Sequence, residues 1–396
     1  MITKKHILPV IVISQFCCTS LWFATNGVMS AVVLEYQLES DAIGWLTSAV
    51  QFGFITGTLL FALFTVNDRF SPSKVFFTSA LCAAFFNFCF ILEGEESSYL
   101  LIFRFLTGLF LAGIYPVGMK IATDYFDKGL GKSLGFLVGA LVLGTALPHL
   151  IKDFFIDTSW KSVIVLTSIL SITGGFLILF FVKDGPYRKR NNSFDLTTIT
   201  TVFKKNEFRK AAFGYFGHMW ELYTFWAFVP IMLSSYNNIH SNLTIDISLL
   251  SFLIIGIGSL SCIFTGYISQ NLGVNKTAFN FLLGSFLCCL IAPFCFLVDS
   301  QTLFIVFLMV WSFLVIGDSP MFSTLVAQNV ASKNKGSALT IVNCLGYSIT
   351  ILSILIITEL NFTFQSNFIF MLLGIGPALG LFTFRKKRDN KTDIEI

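Results

Sequence analysis

The stretch GHMWELYTFW, residues 217 to 226, sets a histidine and a glutamate three positions apart inside a long apolar run. On a helix, His218 and Glu221 share a face. An unpaired charge near mid-bilayer costs about 2.5–3.5 kcal/mol on insertion scales, so such a carboxyl needs either a use or a partner. Burial disfavours its anion, whereas a nearby His218 or Arg104 would favour it. A group poised between these effects can take up and release a proton. Asp318 is a second candidate proton carrier, and Arg104 is a partner for it or an anchor for a solute. The structural alternative is a satisfied polar pair between helices at His218 and Glu221, with Asp318, directly before Ser319 and Pro320, capping a helix break.

The elements that would hold these groups follow from composition. Of 396 residues, 55% are hydrophobic, 47 are phenylalanine and 12% are charged, with a mean hydropathy of +0.78. That is the balance of an integral membrane protein. The apolar runs have the length of membrane helices, roughly 20 residues, and lack the alternation of a barrel. Twelve spans are predicted, at about 7 to 34, 43 to 66, 73 to 92, 99 to 123, 133 to 152, 161 to 182, 212 to 235, 247 to 270, 276 to 297, 302 to 327, 336 to 358 and 364 to 384. With both termini cytoplasmic, all of the 26 basic residues except Arg104, Lys152 and Lys161 fall in cytoplasmic segments. Basic residues near span ends are held on that side during insertion, so count and orientation support each other. The expected location is a plasma membrane, the inner membrane of a bacterium. Lys4, Lys5 and the apolar residues after them resemble a signal peptide, but the run is long and lacks a cleavage site, so the first span is expected to stay.

The net charge of +4 is a by-product of this bias. No predicted soluble domain is large enough to bind nucleic acid. All nine cysteines lie in predicted spans, where a thiol is a small hydrophobe, and neither a disulfide framework nor a metal site is expected. There is no HExxH, no phosphate-binding loop, no metal-ligand cluster and no nucleophile with an evident base. An enzyme and an ATP-driven pump are therefore disfavoured, and no cofactor is expected.

The longest polar stretch, 183 to 211, divides the chain into a bundle at 1–182 and a second at 212–396. Gly317-Asp318-Ser319-Pro320 aligns with Gly113-Ile114-Tyr115-Pro116, and at the same offset Ser337 falls on Ser133. A nearby offset pairs the loop from Asp68 to Lys74 with that from Gln270 to Lys276. Such weak repeats are left by duplicated transporter halves. Asp68, Arg69 and Lys74 after span two resemble the loop signature of the major facilitator superfamily, although Phe64 and Ser71 replace its usual glycines. The second-half loop keeps Gly266, Gly273 and Lys276. Arg104 and Gly108 in RFLTGLFLAG resemble the family's R-x3-G pattern. Glycines 131, 135, 139 and 144 with Pro148 in span five only partly match its antiporter signature, which leaves transport direction open.

The resemblance implies an all-α membrane protein of two pseudo-symmetric six-helix bundles, alternating access, a functional monomer, and a central cavity ringed by spans one, four, seven and ten. Polar faces fall on these helices: Gln15, Thr19, Trp22 and Asn26; Arg104, Gly108, Tyr115 and Gly118; His218 and Glu221; Trp311 and Asp318. Span eleven adds Thr340, Asn343, Tyr347 and Thr350. The candidate binding or coupling residues are Glu221, His218, Asp318, Arg104, Trp22, Asn26, Tyr115, Tyr223, Asn343 and Tyr347. Each aromatic residue among them has packing as its alternative. Asp68, Arg69 and Lys74 are candidate gate residues or solvated loop charges.

The function expected is secondary transport of a small organic solute, with protons as partner. A transporter-like sensor or scaffold is the alternative, against which short tails and loops argue. With only Arg104 well inside, nitrate and phosphate are demoted. Two buried carboxylates among aromatic residues suit a neutral or cationic solute.

Overall fold

A helix in lipid must satisfy every backbone group internally, and the apolar runs do so. The computed structural model describes residues 4–39, 41–92, 98–126, 130–154, 159–188, 201–240, 245–331 and 334–384, and among these there is no strand. The spans are α1 (Lys4–Thr19, resumed at Met29–Glu35), α2 (Ala42–Leu63), α3 (Pro72–Cys89), α4 (Ser98–Leu111 and Tyr115–Tyr125), α5 (Leu130–Phe154), α6 (Lys161–Phe181), α7 (Asn206–Ile239), α8 (Ile247–Gly256 and Gly258–Leu272), α9 (Val274–Cys295), α10 (Gln301–Gly317 and Ser319–Gln328), α11 (Lys335–Phe364) and α12 (a 3-10 segment, Asn367–Gly374, then Ile375–Thr383).

Eight of these are long and apolar enough to cross a membrane by length and composition. The remaining four, α1, α3, α7 and α12, depart for visible reasons. The first is unwound between Thr19 and Asn26, and α12 is half 3-10. The third is 18 residues long and includes Ser73, Lys74 and Asn87, while α7 carries His218 and Glu221.

The sequence repeat has a structural counterpart. Both α4 and α10 break where the aligned motifs lie, and each resumes with a proline in its first turn, Pro116 and Pro320. Proline lacks an N–H and fits the first turn, where that group has no helical partner.

Within the first half, α2 and α4 approach almost backbone to backbone. A Cβ on Gly53 would stand 1.9 Å from the Phe105 carbonyl oxygen, and one on Gly108 1.9 Å from that of Val50. Small residues permit such crossings in a membrane, where packing replaces the hydrophobic drive. The halves meet through α2 on α11 and α5 on α8. A Cβ on Gly44 would lie 2.8 Å from Thr358 Oγ1, and one on Gly139 3.3 Å from the Ser259 carbonyl oxygen. Phe52, Phe85, Phe294, Leu303 and Phe382 are exposed on the outer surface, as a lipid-facing belt requires.

At one end, the start of the polar stretch docks on the first half. Ser71 Oγ donates to Asp184 at 2.6 Å, Tyr125 OH to the Lys183 carbonyl at 2.7 Å, and Arg188 Nη2 to the Phe70 carbonyl at 2.6 Å. Arg69 ends the short helix Val66–Arg69, and Lys74 lies in the first turn of α3; the side chain of Asp68 is outside the described residues. At the opposite end, Glu35 accepts from Trp160 Nε1 and stands 3.0 Å from Lys161 Nζ, tying the end of α1 to α6. The Trp160 hydrogen bond, aided by Lys161, holds the Glu35 carboxyl below its ordinary range.

Candidate transport site

A cavity of about 580 Å³ runs between α4 and α5 on one side and α7, α8, α10 and α11 on the other. It extends from Gln270, Gln328 and Lys335 at the helix ends inward to Tyr115, Tyr223 and Tyr347. Among the described residues Lys335 is the one charged side chain that lines it, and no carboxylate does. Tyr215, Met219 and Asn343 complete the inner wall.

Aromatic rings close the inner end. Trp22 stacks on Tyr223 and on Tyr347, with ring centroids 5.7 Å apart in each case, and Phe54 lies 4.7 Å from both Trp22 and Tyr347. Tyr223 and Tyr347 share a hydrogen bond of 2.8 Å between their hydroxyls. Trp22 and Phe54 come from the first half, Tyr223 and Tyr347 from the second, so the plug is built across the interface. Offset ring pairs of this kind contribute about 0.5–1.5 kcal/mol each beyond their burial.

His218, Glu221 and Asp318 lie behind this wall, inside the second bundle. The polar faces read from α7 and α10 meet each other: His218 Nδ1 is 2.7 Å from Asp318 Oδ1, and Trp311 Nε1 donates to Glu221 Oε1 at 2.6 Å. Both pairs are fully buried. Glu221 also receives Cys289 Sγ at 3.2 Å and Ser285 Oγ at 2.9 Å. Ser285 has a second choice, the Leu282 carbonyl at 3.2 Å. Its single hydroxyl hydrogen can therefore point to an ionised Glu221, or turn to Leu282 and accept from a protonated one. Such a setting tolerates either protonation state without moving a helix. His218 Nε2 and Asp318 Oδ2 have no hydrogen-bond partner among the described residues. Asp318 adjoins Ser319 and Pro320, and His218 adjoins Met219, all of which do line the cavity.

Arg104 pairs with neither acid. Its guanidinium donates to the carbonyls of Leu21, at 3.1 Å, and Trp22, at 2.5 Å, where α1 is unwound. The side chain of Asn26 donates to Thr47 Oγ1 at 2.9 Å, joining α1 to α2. Of the sequence candidates, the structure thus brings together Tyr115, Tyr223, Asn343 and Tyr347 on the cavity with Trp22 at its end. It groups His218, Glu221 and Asp318 separately and leaves Arg104 and Asn26 in the first bundle. Sequence reasoning missed Phe54, Tyr215, Ser285 and Cys289. The i, i+4 spacing of Ser285 and Cys289 in α9 was the available signal for a polar face there.

The family model of the Major Facilitator Superfamily matches residues 11–354. The chain belongs to that superfamily. Among its curated relatives, the "Niacin transporter NiaP" of Acinetobacter baylyi is 31% identical over 162 residues, 35% of this chain and 36% of that one. A "Putative niacin/nicotinamide transporter NiaP" of Bacillus subtilis is 24% identical over 38% of this chain and 37% of its own length, and the "Benzoate transport protein" of Acinetobacter baylyi 28% over 38% and 30%. The matches thus span about a third of those relatives. Among solved structures, a single-residue mutant of the nucleoside transporter NupG superposes with a TM-score of 0.73 at 13% identity, over 97% of this chain and 100% of that one. The human organic anion transporter MFSD10 (TETRAN) gives 0.72 at 12% identity, over the same shares. These structures bear on the fold. This member of the Major Facilitator Superfamily is accordingly an all-helical, multi-pass membrane protein with that superfamily's twelve-helix fold.

Proposed function

We propose that the protein is a proton-coupled secondary transporter of a small aromatic monocarboxylate, working by alternating access between bundles 1–182 and 212–396 joined by 183–211. The observation that carries this reading is the cavity wall, rich in tyrosine and free of carboxylates among the described residues. The expectation of a neutral or cationic solute, which rested on Glu221 and Asp318 facing the solute, loses its basis because neither lines the cavity. Rings and hydroxyls suit a flat ring with one polar group, and Lys335 at the mouth favours an anion over a cation. The relatives named for niacin and benzoate transport agree in chemistry.

The basic residues near the span ends support a cytoplasmic side for Lys335 and both termini; the cavity then faces inward and the Trp22 plug shuts the outer path. Asp318–His218 and Glu221 supply the proton sites. Their occupancy then biases the packing of α7 against α9 and α10, which is where solute binding and proton binding meet. Localisation in a bacterial inner membrane and function as a monomer belong to the same reading.

The test is uptake of labelled benzoate and nicotinate by proteoliposomes under an imposed pH gradient. Accumulation that collapses with the gradient is expected. Binding without accumulation would instead favour a transporter-like sensor, and neither binding nor uptake would remove the substrate class.

A further inference from the structure

We propose that the hydroxyls of Tyr115, Tyr215, Tyr223 and Tyr347 form an anion cradle that receives the substrate carboxylate, in the role an arginine or lysine would otherwise fill; this rests on the aromatic-acid reading above. All four side chains line the cavity, from α4, α7 and α11. Tyr223 and Tyr347 hydrogen-bond to each other at 2.8 Å. One hydroxyl of that pair donates to the other, whose own hydrogen has no acceptor among the described residues. The hydroxyls of Tyr115 and Tyr215 form no hydrogen bond among the described residues. Three hydrogens therefore stand uncommitted in the wall of one cavity.

A carboxylate offers about four acceptor positions, and hydrogen bonds to a charged acceptor are about twice as strong as neutral ones. The competing groups are engaged elsewhere. Glu221 is held by Trp311, Ser285 and Cys289, Asp318 lies against His218, and Arg104 is spent on the α1 backbone. Lys335 lies at the outer end of the cavity and can attract an anion without holding it at the inner end. The cradle draws on both bundles, Tyr115 from the first and the others from the second. A bound carboxylate would tie them together, which is what a solute must do to influence their relative motion.

The test compares binding of benzoate and of its neutral analogue benzamide to the purified full-length protein at neutral pH, where a carboxylic acid of ordinary pKa is ionised. Tyr115→Phe and Tyr215→Phe remove hydroxyls that bond nothing in the protein, so they are the variants that keep the fold; Tyr223→Phe and Tyr347→Phe follow. Each is expected to raise the Kd for benzoate about tenfold, and that for benzamide at least fivefold less. Equal weakening of both ligands, or unchanged benzoate binding, overturns the cradle while leaving the aromatic-acid reading in place. A wild-type protein that binds neither benzoate nor nicotinate overturns both.

Discussion

The Glu221 carboxyl is enclosed by donors of its own bundle and does not line the cavity. Its three donors come from α9 and α10, so removing the side chain would strand the Trp311 N–H and open a void. Glu221→Ala is expected to cost about 2–4 kcal/mol of stability. Glu221→Gln should cost less than about 1 kcal/mol, because an amide can accept from Trp311 and donate to Ser285 as a protonated carboxyl would. Thermal denaturation in detergent checks the pair. If Glu221 must ionise during the cycle, the Gln protein folds and exchanges solute but no longer accumulates it under a pH gradient. Normal accumulation would take Glu221 out of the coupling step. Asp318→Asn is held to the same measurement with Asp299→Asn beside it, since the Asp299 side chain is 91% exposed and that of Asp318 is fully buried. Asp318→Asn should lower gradient-driven uptake at least tenfold and Asp299→Asn less than twofold; equal effects would deny Asp318 its role.

At the scale of helices, the break in α1 is the feature with the largest local demand. Carbonyls in an unwound turn inside a bilayer need partners, and Arg104 donates to two: that of Trp22 and that of Leu21, which otherwise has only a long bond of 3.5 Å from the Ala24 N–H. Hydrogen bonds to a charged group contribute about 1.5–3 kcal/mol each, whereas an exposed pair such as Lys161–Glu35 is worth about 0–1. Arg104→Met should therefore lower the melting temperature by several degrees, and Lys161→Met by much less; a similar shift for both would mean the guanidinium is not what holds α1. Nothing in the segment SLWFAT announces that break, because it contains neither glycine nor proline and is stabilised from another helix. The break in α10 was legible at Asp318-Ser319-Pro320, whereas that in α4 was not read, although Pro116 stands at the matching position. The spans themselves were legible from hydropathy and charge. Helical spacing also singled out Tyr115, Asn343 and Tyr347, which line the cavity. It could not say that the face bearing His218 and Glu221 turns toward α9 and α10 rather than the cavity, because α7 is buried nearly all round and spacing fixes a face without naming its neighbour.

For the whole molecule, the inward-facing state proposed above depends on how closely the halves meet at the plugged end. Gly44 of α2 packs on Thr358 of α11, and a side chain there has no room: its Cβ would lie 2.8 Å from Thr358 Oγ1 and 3.0 Å from both Thr358 carbons. Gly44→Val should therefore wedge α2 from α11 and disfavour this state relative to the one open at the opposite end, since packed interfaces switch between arrangements rather than deform smoothly. Ser48, one turn along α2 and 6% exposed, reports the change. A cysteine in place of Ser48 should react slowly with an impermeant maleimide from outside, and several-fold faster once Gly44→Val is added. Gly44→Val without the added cysteine serves as the control for the native thiols. Turnover should fall while solute affinity stays within about tenfold, because a ligand's apparent affinity follows the fraction of molecules in the competent state. If labelling and turnover both match the parent, α2 and α11 do not form the outer gate, and the plug of Trp22, Phe54, Tyr223 and Tyr347 must close that path without them.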